Sequence, residues 1–252
     1  ANVRAAAIDG LWENETPALG RKLLALLKGD PSEEVRAAAA EGLGRFVLLA
    51  DLESEHPPAP ANLVETLLAR FEDPGEELLV RRRALESLAY SSDPRMRGVI
   101  ENAYMDGEEE IRLSAVFAMG CSADDYWAQT MQEELASDNP AMRFEAAHAC
   151  GELMIGEAAP TLIEMLRDED HQVTQEAVWA LGQIGGNEAR RALEEVREGE
   201  DEALADFAEE ALAELDLMSG TRTPDLFVYD DEETLADEED FDEEDFDEEE
   251  DG

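Results

Sequence analysis

Residues 155–186 read IGEAAPTLIEMLRDEDHQVTQEAVWALGQIGG. In the second half, Val173, Ala177, Ala180 and Leu181 stand at offsets 0, 4, 7 and 8, which share one face of a 3.6-residue helix. Gly185 and Gly186 close that helix, as glycine commonly does because it enters left-handed backbone at little steric cost. The first half, APTLIEMLRD, is a second amphipathic helix, and the acidic turn DEDHQV joins the two. Two short helices with one apolar face each cannot bury those faces alone, so the stretch demands neighbours of its own kind. Trp179 lies off the small, apolar face and needs a separate account.

The neighbours are present. Aligning on the apolar residue that starts the second helix brings Val3, Val35, Val80, Ile111, Met142, Val173 and Leu204 into register. The last four steps are 31 residues each, the first is 32, and the second is 45, which implies an insertion. Four residues on, every copy has Ala: Ala7, Ala39, Ala84, Ala115, Ala146, Ala177 and Ala208. Seven on, every copy is small: Gly10, Gly42, Ser87, Ala118, Ala149, Ala180 and Ala211. Eight on stand Leu11, Leu43, Leu88, Met119, Cys150, Leu181 and Leu212. Small columns let neighbouring helices approach closely, so this is a helix buried against its own copies. A second amphipathic helix precedes most copies, as in PALGRKLLALLKG, NLVETLLARF and ARRALEEVRE. Asp30, Asp106 and Asp168 stand five residues before their starts, where a carboxylate serves a turn or a helix N-cap.

DPSEEVRAAAAEGLGRF (30–46), residues 155–186 and NEARRALEEV (187–196) resemble the short bacterial HEAT-like repeats named after phycobilin-lyase proteins. The resemblance covers roughly residues 3–215. It implies an all-α, right-handed α-solenoid of about seven helix pairs, with the second helix of each pair lining the concave side. It also implies that the Arg after the apolar start pairs with a turn acid. Arg36, Arg81, Arg112 and Arg143 match that pattern, whereas Thr174 and Ala205 depart, so the ladder is expected to be incomplete towards the C-terminus. Repeat 1 begins directly at its second helix, NVRAAAIDGLW, and the natural chain is therefore expected to extend further N-terminally. The array is expected to span 1–218, with a linker at 219–224 and an acidic, disordered tail at 225–252.

The 45-residue step holds ADLESEHPPAPAN, residues 50–62, where Pro57, Pro58 and Pro60 favour an extended loop. Such a loop is either a tolerated insertion or a flap over the groove. Tail residues 225–252 contain 18 acids and no Lys or Arg, and EEDFD occurs twice in tandem, at 238–242 and 243–247. Self-repulsion keeps such a segment from packing. Phe227, Tyr229, Phe241 and Phe246 are not needed for solubility, and aromatics spaced in acid suit a short motif anchoring on a basic, apolar surface.

The whole chain carries −46, of which −28 falls on residues 1–224. Such a charge repels nucleic-acid phosphate and anionic lipid, and attracts basic proteins. The partner is therefore expected to be a basic protein, with no nucleic acid bound directly and no membrane. The chain is expected to be a monomer or part of a hetero-complex. Solubility and life in high salt are the plain alternatives. Cys121 and Cys150 occupy non-equivalent positions and read as free thiols of a reducing, cytoplasmic setting.

Catalytic motifs are missing. The histidines, His56, His148 and His171, form no H-E-x-x-H, and none precedes Glu as in HEAT-like metal hydroxylases. No P-loop, G-x-S-x-G or G-x-G-x-x-G occurs. No cofactor, metal or catalytic residue is assigned. The informative feature is the column six residues after each start: Asp9, Glu41, Glu86, Phe117, His148, Trp179 and Glu210. Leu113 and Phe144 lie one helical turn before Phe117 and His148. Together they form a partly apolar stripe across repeats 4 to 6, bordered by Glu41, Glu86 and Glu210. The stripe either packs between repeats or contacts a partner, with the acidic border selecting a basic ligand. The leading expectation is a non-catalytic scaffold. Its alternatives are a phycobilin-lyase-like chaperone or enzyme, which the resemblance suggests, and a nucleic-acid-mimicking tail that binds a basic protein.

Overall fold

The computed structural model describes residues 1–11, 13–52 and 59–218. Among these the chain is helical throughout its regular structure: α1 (Asn2–Asp9), α2 (Pro17–Gly29), α3 (Glu33–Leu52), α4 (Leu63–Phe71), α5 (Leu78–Leu88), α6 (Met96–Tyr104), α7 (Glu109–Cys121), α8 (Ala128–Glu134), α9 (Pro140–Glu152), α10 (Ala159–Met165), α11 (His171–Ile184), α12 (Gly186–Arg197) and α13 (Glu202–Met218). Short 3-10 turns, Asp125–Trp127 and Gly156–Ala158, lead into α8 and α10. The lone α1 is followed by six antiparallel pairs, from α2/α3 to α12/α13. This is the expected α-solenoid of seven repeats with an incomplete first one.

The second helices α3, α5, α7, α9, α11 and α13 each pack directly on the next, far more extensively than the first helices do. The more tightly packed row of a curved array is its inner row, so these helices line the concave side. The offset-four alanines from Ala39 to Ala208 are fully buried. A further column makes the close approach possible. Gly44, Gly120, Gly151 and Gly182 stand nine residues after their starts and face the offset-seven residue of the next repeat. A methyl built on Gly120 would lie 2.8 Å from Ala149 Cβ, and one on Gly182 would lie 2.9 Å from Ala211 Cβ. Glycine in a helix interior costs about 1 kcal/mol relative to alanine, so packing is what these positions supply.

Repeat 1 departs from the expected burial. Val3 is 84% exposed, Leu11 is 42% exposed and Ala7 is exposed; only Ile8 is buried, against Gly42. Among the described residues α1 has no paired first helix, so its face has one neighbour instead of two.

Arginines tie successive repeats. Arg36 reaches Glu76 (2.7 Å), Arg81 reaches Glu108 (3.2 Å), Arg112 reaches Glu134 (3.2 Å) and Arg143 reaches Asp168 (2.7 Å). Arg4 joins the ladder on Asp30 at 2.9 Å. Each acid belongs to the repeat after its arginine. Arg36 and Arg143 also donate to carbonyls of their own turns, Asp30 and Ser137, each at 2.9 Å. At position 174 the Thr hydroxyl instead donates to the Asp170 carbonyl. Asp30, Asp106 and Asp168 are turn residues, each accepting the backbone N–H two residues on. The side chains that cap α2, α9 and α11 are Thr16, Asn139 and Asp170, and Asp124 caps the 3-10 turn before α8.

Gly185 (φ 70°) and Gly186 (φ 88°) turn the chain from α11 into α12. At the equivalents of Gly185 in repeats 4 and 5, Ala123 (φ 50°) and Met154 (φ 48°), the chain also takes positive φ, there without glycine. In the 50–62 insertion, α3 continues to Leu52, residues 53–58 lie outside the described residues, and the chain returns with Pro60 beside Gly20 of α2. Phe227, Tyr229, Phe241 and Phe246 also lie outside the described residues.

Candidate functional site

At about 100° per residue, offsets 2, 3, 6 and 10 of each second helix occupy a single arc beside the buried face. That arc is the exposed surface of the concave side. In repeats 4 to 6 it holds a shallow groove of about 310 Å³ lined by Phe117 of α7, Phe144, Glu145 and His148 of α9, and Glu176 and Trp179 of α11. Four of the five sequence candidates of the stripe thus meet: Phe117, Phe144, His148 and Trp179. Leu113 is half-buried against the core and does not line the groove.

Trp179 is anchored on two sides. Its ring stacks on His148, with centroids 4.7 Å apart and planes 16° from parallel. Its Cζ3 edge rests on Gly151, where a methyl would come within 2.5 Å. His148 Nδ1 in turn bonds Glu176 Oε1 at 2.7 Å, and Nε2 lies 3.8 Å from Glu152. Hydrogen bonding to Glu176 and the nearby carboxylates raise the His148 pKa above the usual imidazole value. Trp179 therefore packs between repeats and still presents surface to the groove. Phe117 is half-exposed beside it.

The acidic border is more engaged than the sequence implied. Arg83 Nη1 meets Glu86 at 2.7 Å and its Nε lies 3.5 Å from Glu41. Ser114 donates to Glu86 at 2.6 Å while receiving a bond from Arg82 at 3.0 Å. Glu41 and Glu86 are thus paired within the concave face. Glu210 is exposed on α13.

Glu145 and Glu176 were not singled out by sequence. Glu145 is half-buried and has no hydrogen-bond partner among the described residues. Burial pushes its carboxyl up to about 7, helped by Glu86 and Glu176 and opposed by His148 and Arg82. The signal available was the offset-three column, Arg83, Ser114, Glu145, Glu176 and Phe207, which shares the arc with the stripe.

Burial holds the Cys121 and Cys150 thiols up at about 11 and about 12, so neither is a thiolate near neutrality. Among the described residues no group of three or more His, Cys, Asp or Glu is placed to hold a metal ion. No helix among them is long and apolar enough to cross a membrane.

Residues 128–213 match the family model for HEAT repeats, and residues 20–50 match the model for a single HEAT repeat. No curated protein sequence matches the chain. Among solved structures, the chain is similar to the complex of CpcE and CpcF of phycocyanin lyase from Nostoc sp., at 20% identity over 81% of this chain and 79% of that one, with a TM-score of 0.54. It is also similar to a designed armadillo repeat protein in complex with the peptide (KR)4, at 20% identity over 77% and 98% of the two chains, with a TM-score of 0.48. At such identities the likeness is one of fold.

Proposed function

We propose that this chain of HEAT repeats is a non-catalytic interaction scaffold whose concave groove in repeats 4 to 6 holds a segment of a basic or apolar-basic protein. One observation carries the reading. Aromatic side chains from three successive repeats, Phe117, Phe144 and Trp179, line one groove with Glu145 and Glu176, on a chain of net charge −46. Rigid aromatics in a groove are common binding anchors, and flat apolar surface rimmed by carboxylate suits cationic residues on apolar stems. Leu113 extends the stripe towards the core. Glu41, Glu86 and Glu210 contribute field at its ends, the first two as partners of Arg83. The tail, with Phe227, Tyr229, Phe241 and Phe246, adds long-range attraction that speeds encounter.

A display selection of random 12-residue peptides against the full chain tests this. Enriched peptides should be basic with apolar residues interspersed, and Phe144→Ser should weaken them about tenfold or more while the helical spectrum is kept. Peptides without a basic bias, or peptides indifferent to Phe144→Ser, overturn the reading. Removing residues 225–252 should slow association several-fold at low salt and leave dissociation unchanged.

A further inference from the structure

The groove contains one carboxylate whose surroundings differ from those of every other acid on that arc. Glu86 is held by Ser114 and Arg83, Glu41 faces Arg83, and Glu176 is held by His148. Glu152 lies 3.8 Å from His148. Glu145 alone among these acids has neither a hydrogen bond nor an ion-pair partner among the described residues, although it is half-buried. It also stands on a wall between two depressions. Phe117, Phe144, His148, Glu176 and Trp179 line one with it. Pro140, Ala141, Phe144, Asp170, Gln172 and Val173 line the other with it. An acceptor flanked by flat rings, open to solvent on one side and lacking a donor, is complementary to a flat cation that carries several donors.

Resting on the groove reading above, we infer that Glu145, with Phe117, Phe144 and Trp179 around it, is a recognition site for an arginine side chain of the partner. Guanidinium fits this arrangement better than ammonium for three reasons. It is planar and stacks on aromatic faces, it is weakly hydrated and enters an apolar groove at lower cost, and it can grip one carboxylate through two parallel N–H bonds. A lysine ammonium is compact and strongly hydrated, and it would give up that hydration for a single acceptor.

The site has a protonic signature. The charged and titratable groups facing Glu145 are Arg82 and Glu86 from α5, His148 on α9 and Glu176 from α11. Near neutrality Glu145 holds a proton for part of the time, and a guanidinium must displace it. The His148 imidazole, held above its ordinary value by Glu176, also repels an incoming cation until it loses its proton. Both effects have one sign: affinity for arginine rises as pH increases through about 7, and complex formation below that pH releases protons.

The test uses the full chain and three synthetic peptides, (Gly-Arg)4, (Gly-Lys)4 and (Gly-citrulline)4, titrated calorimetrically at pH 5.5 and pH 8. Citrulline keeps the shape of arginine without its charge. At pH 8 the arginine peptide should bind about tenfold tighter than the lysine peptide, with the citrulline peptide weakest. Glu145→Gln should bring the arginine-to-lysine ratio close to one and remove most of the gain between the two pH values. Glu188→Gln, an exposed acid on α12, a first helix on the other row of the array, should leave the ratio unchanged. A ratio near one in the parent chain, or a preference that survives Glu145→Gln, overturns the inference. The groove reading is separable. If Phe144→Ser weakens both cationic peptides while the ratio is one, the groove stands and the arginine site falls. If Phe144→Ser changes neither, the groove reading falls as well.

Discussion

The Cα of Gly151 in repeat 5 is the floor under the Trp179 ring of repeat 6, so close that a methyl there would sit 2.5 Å from Cζ3 and 3.0 Å from the Cα of Ala180. The second contact is with backbone and cannot swing aside. Gly151→Ala should therefore destabilise the array by about 1–3 kcal/mol in urea unfolding, despite alanine's better helix propensity. A neutral or stabilising result would mean that α9 and α11 are further apart than described.

Trp179 and Phe117 occupy one column with different duties. Trp179→Ala removes the ring that His148 stacks on and that covers Gly151, and should cost about 2–4 kcal/mol of stability. Phe117→Ser, at a half-exposed groove position, should cost less than about 1 kcal/mol and lower peptide affinity instead. Thermal melts and titrations of the two variants side by side separate packing from contact.

Met154 (φ 48°) holds positive φ where Gly185 (φ 70°) does one repeat later, and Ala123 (φ 50°) does so one repeat earlier. Met154 is also 62% exposed, so its side chain packs little. Met154→Gly should stabilise the chain or leave it unchanged, within about 0.5–1 kcal/mol, because relief of strain offsets the added freedom of the unfolded chain. Gly185→Ala should do the reverse, and a Gly185→Ala variant as stable as the parent would contradict the backbone geometry.

Glu145 links stability to pH. Its carboxyl is raised to about 7 in the folded chain, against an ordinary value of 4.5. Between those values the folded state keeps a proton that the unfolded state has lost. Stability is thus greatest below the lower value and declines as pH rises to about 7, where the decline from this group ends. His148, also raised, adds a decline of the same sign as it loses its proton. Glu145→Gln should flatten much of this slope and be more stable than the parent at pH 8 by about 1–3 kcal/mol. Chemical unfolding at pH 5 and pH 8 reads both effects, and a parent chain more stable at pH 8 would refute the assignment.

The inner helices were legible because the same face is buried in each repeat, and Ala39, Ala84, Ala115, Ala146, Ala177 and Ala208 fill its offset-four column without exception. What escaped the sequence depends on two repeats at once. The Gly44, Gly120, Gly151 and Gly182 column has meaning only against the next helix. Arg36 has acids in its own turn, yet it salt-bridges Glu76 in the following repeat. Glu86 reads as free negative charge until Arg83 and Ser114 are placed beside it. Glu145 is the converse, one of 65 acids and distinguished by being half-buried without a donor beside it. Repeat 1 fits the letter pattern and still leaves Val3 and Leu11 exposed, because the pattern encodes a face and not the presence of something to cover it.

The Gly–Ala seams fix the radius of the whole arc. Each lets two inner helices meet at backbone distance while the outer helices stay further apart, so bending is written one methyl at a time. Widening a single seam would open the arc at that joint and swing every repeat beyond it, as a wedge does in an arch. The mouth of the groove between α7 and α11 is then a mechanical output of Gly120 and Gly151, residues that never touch what lies within it.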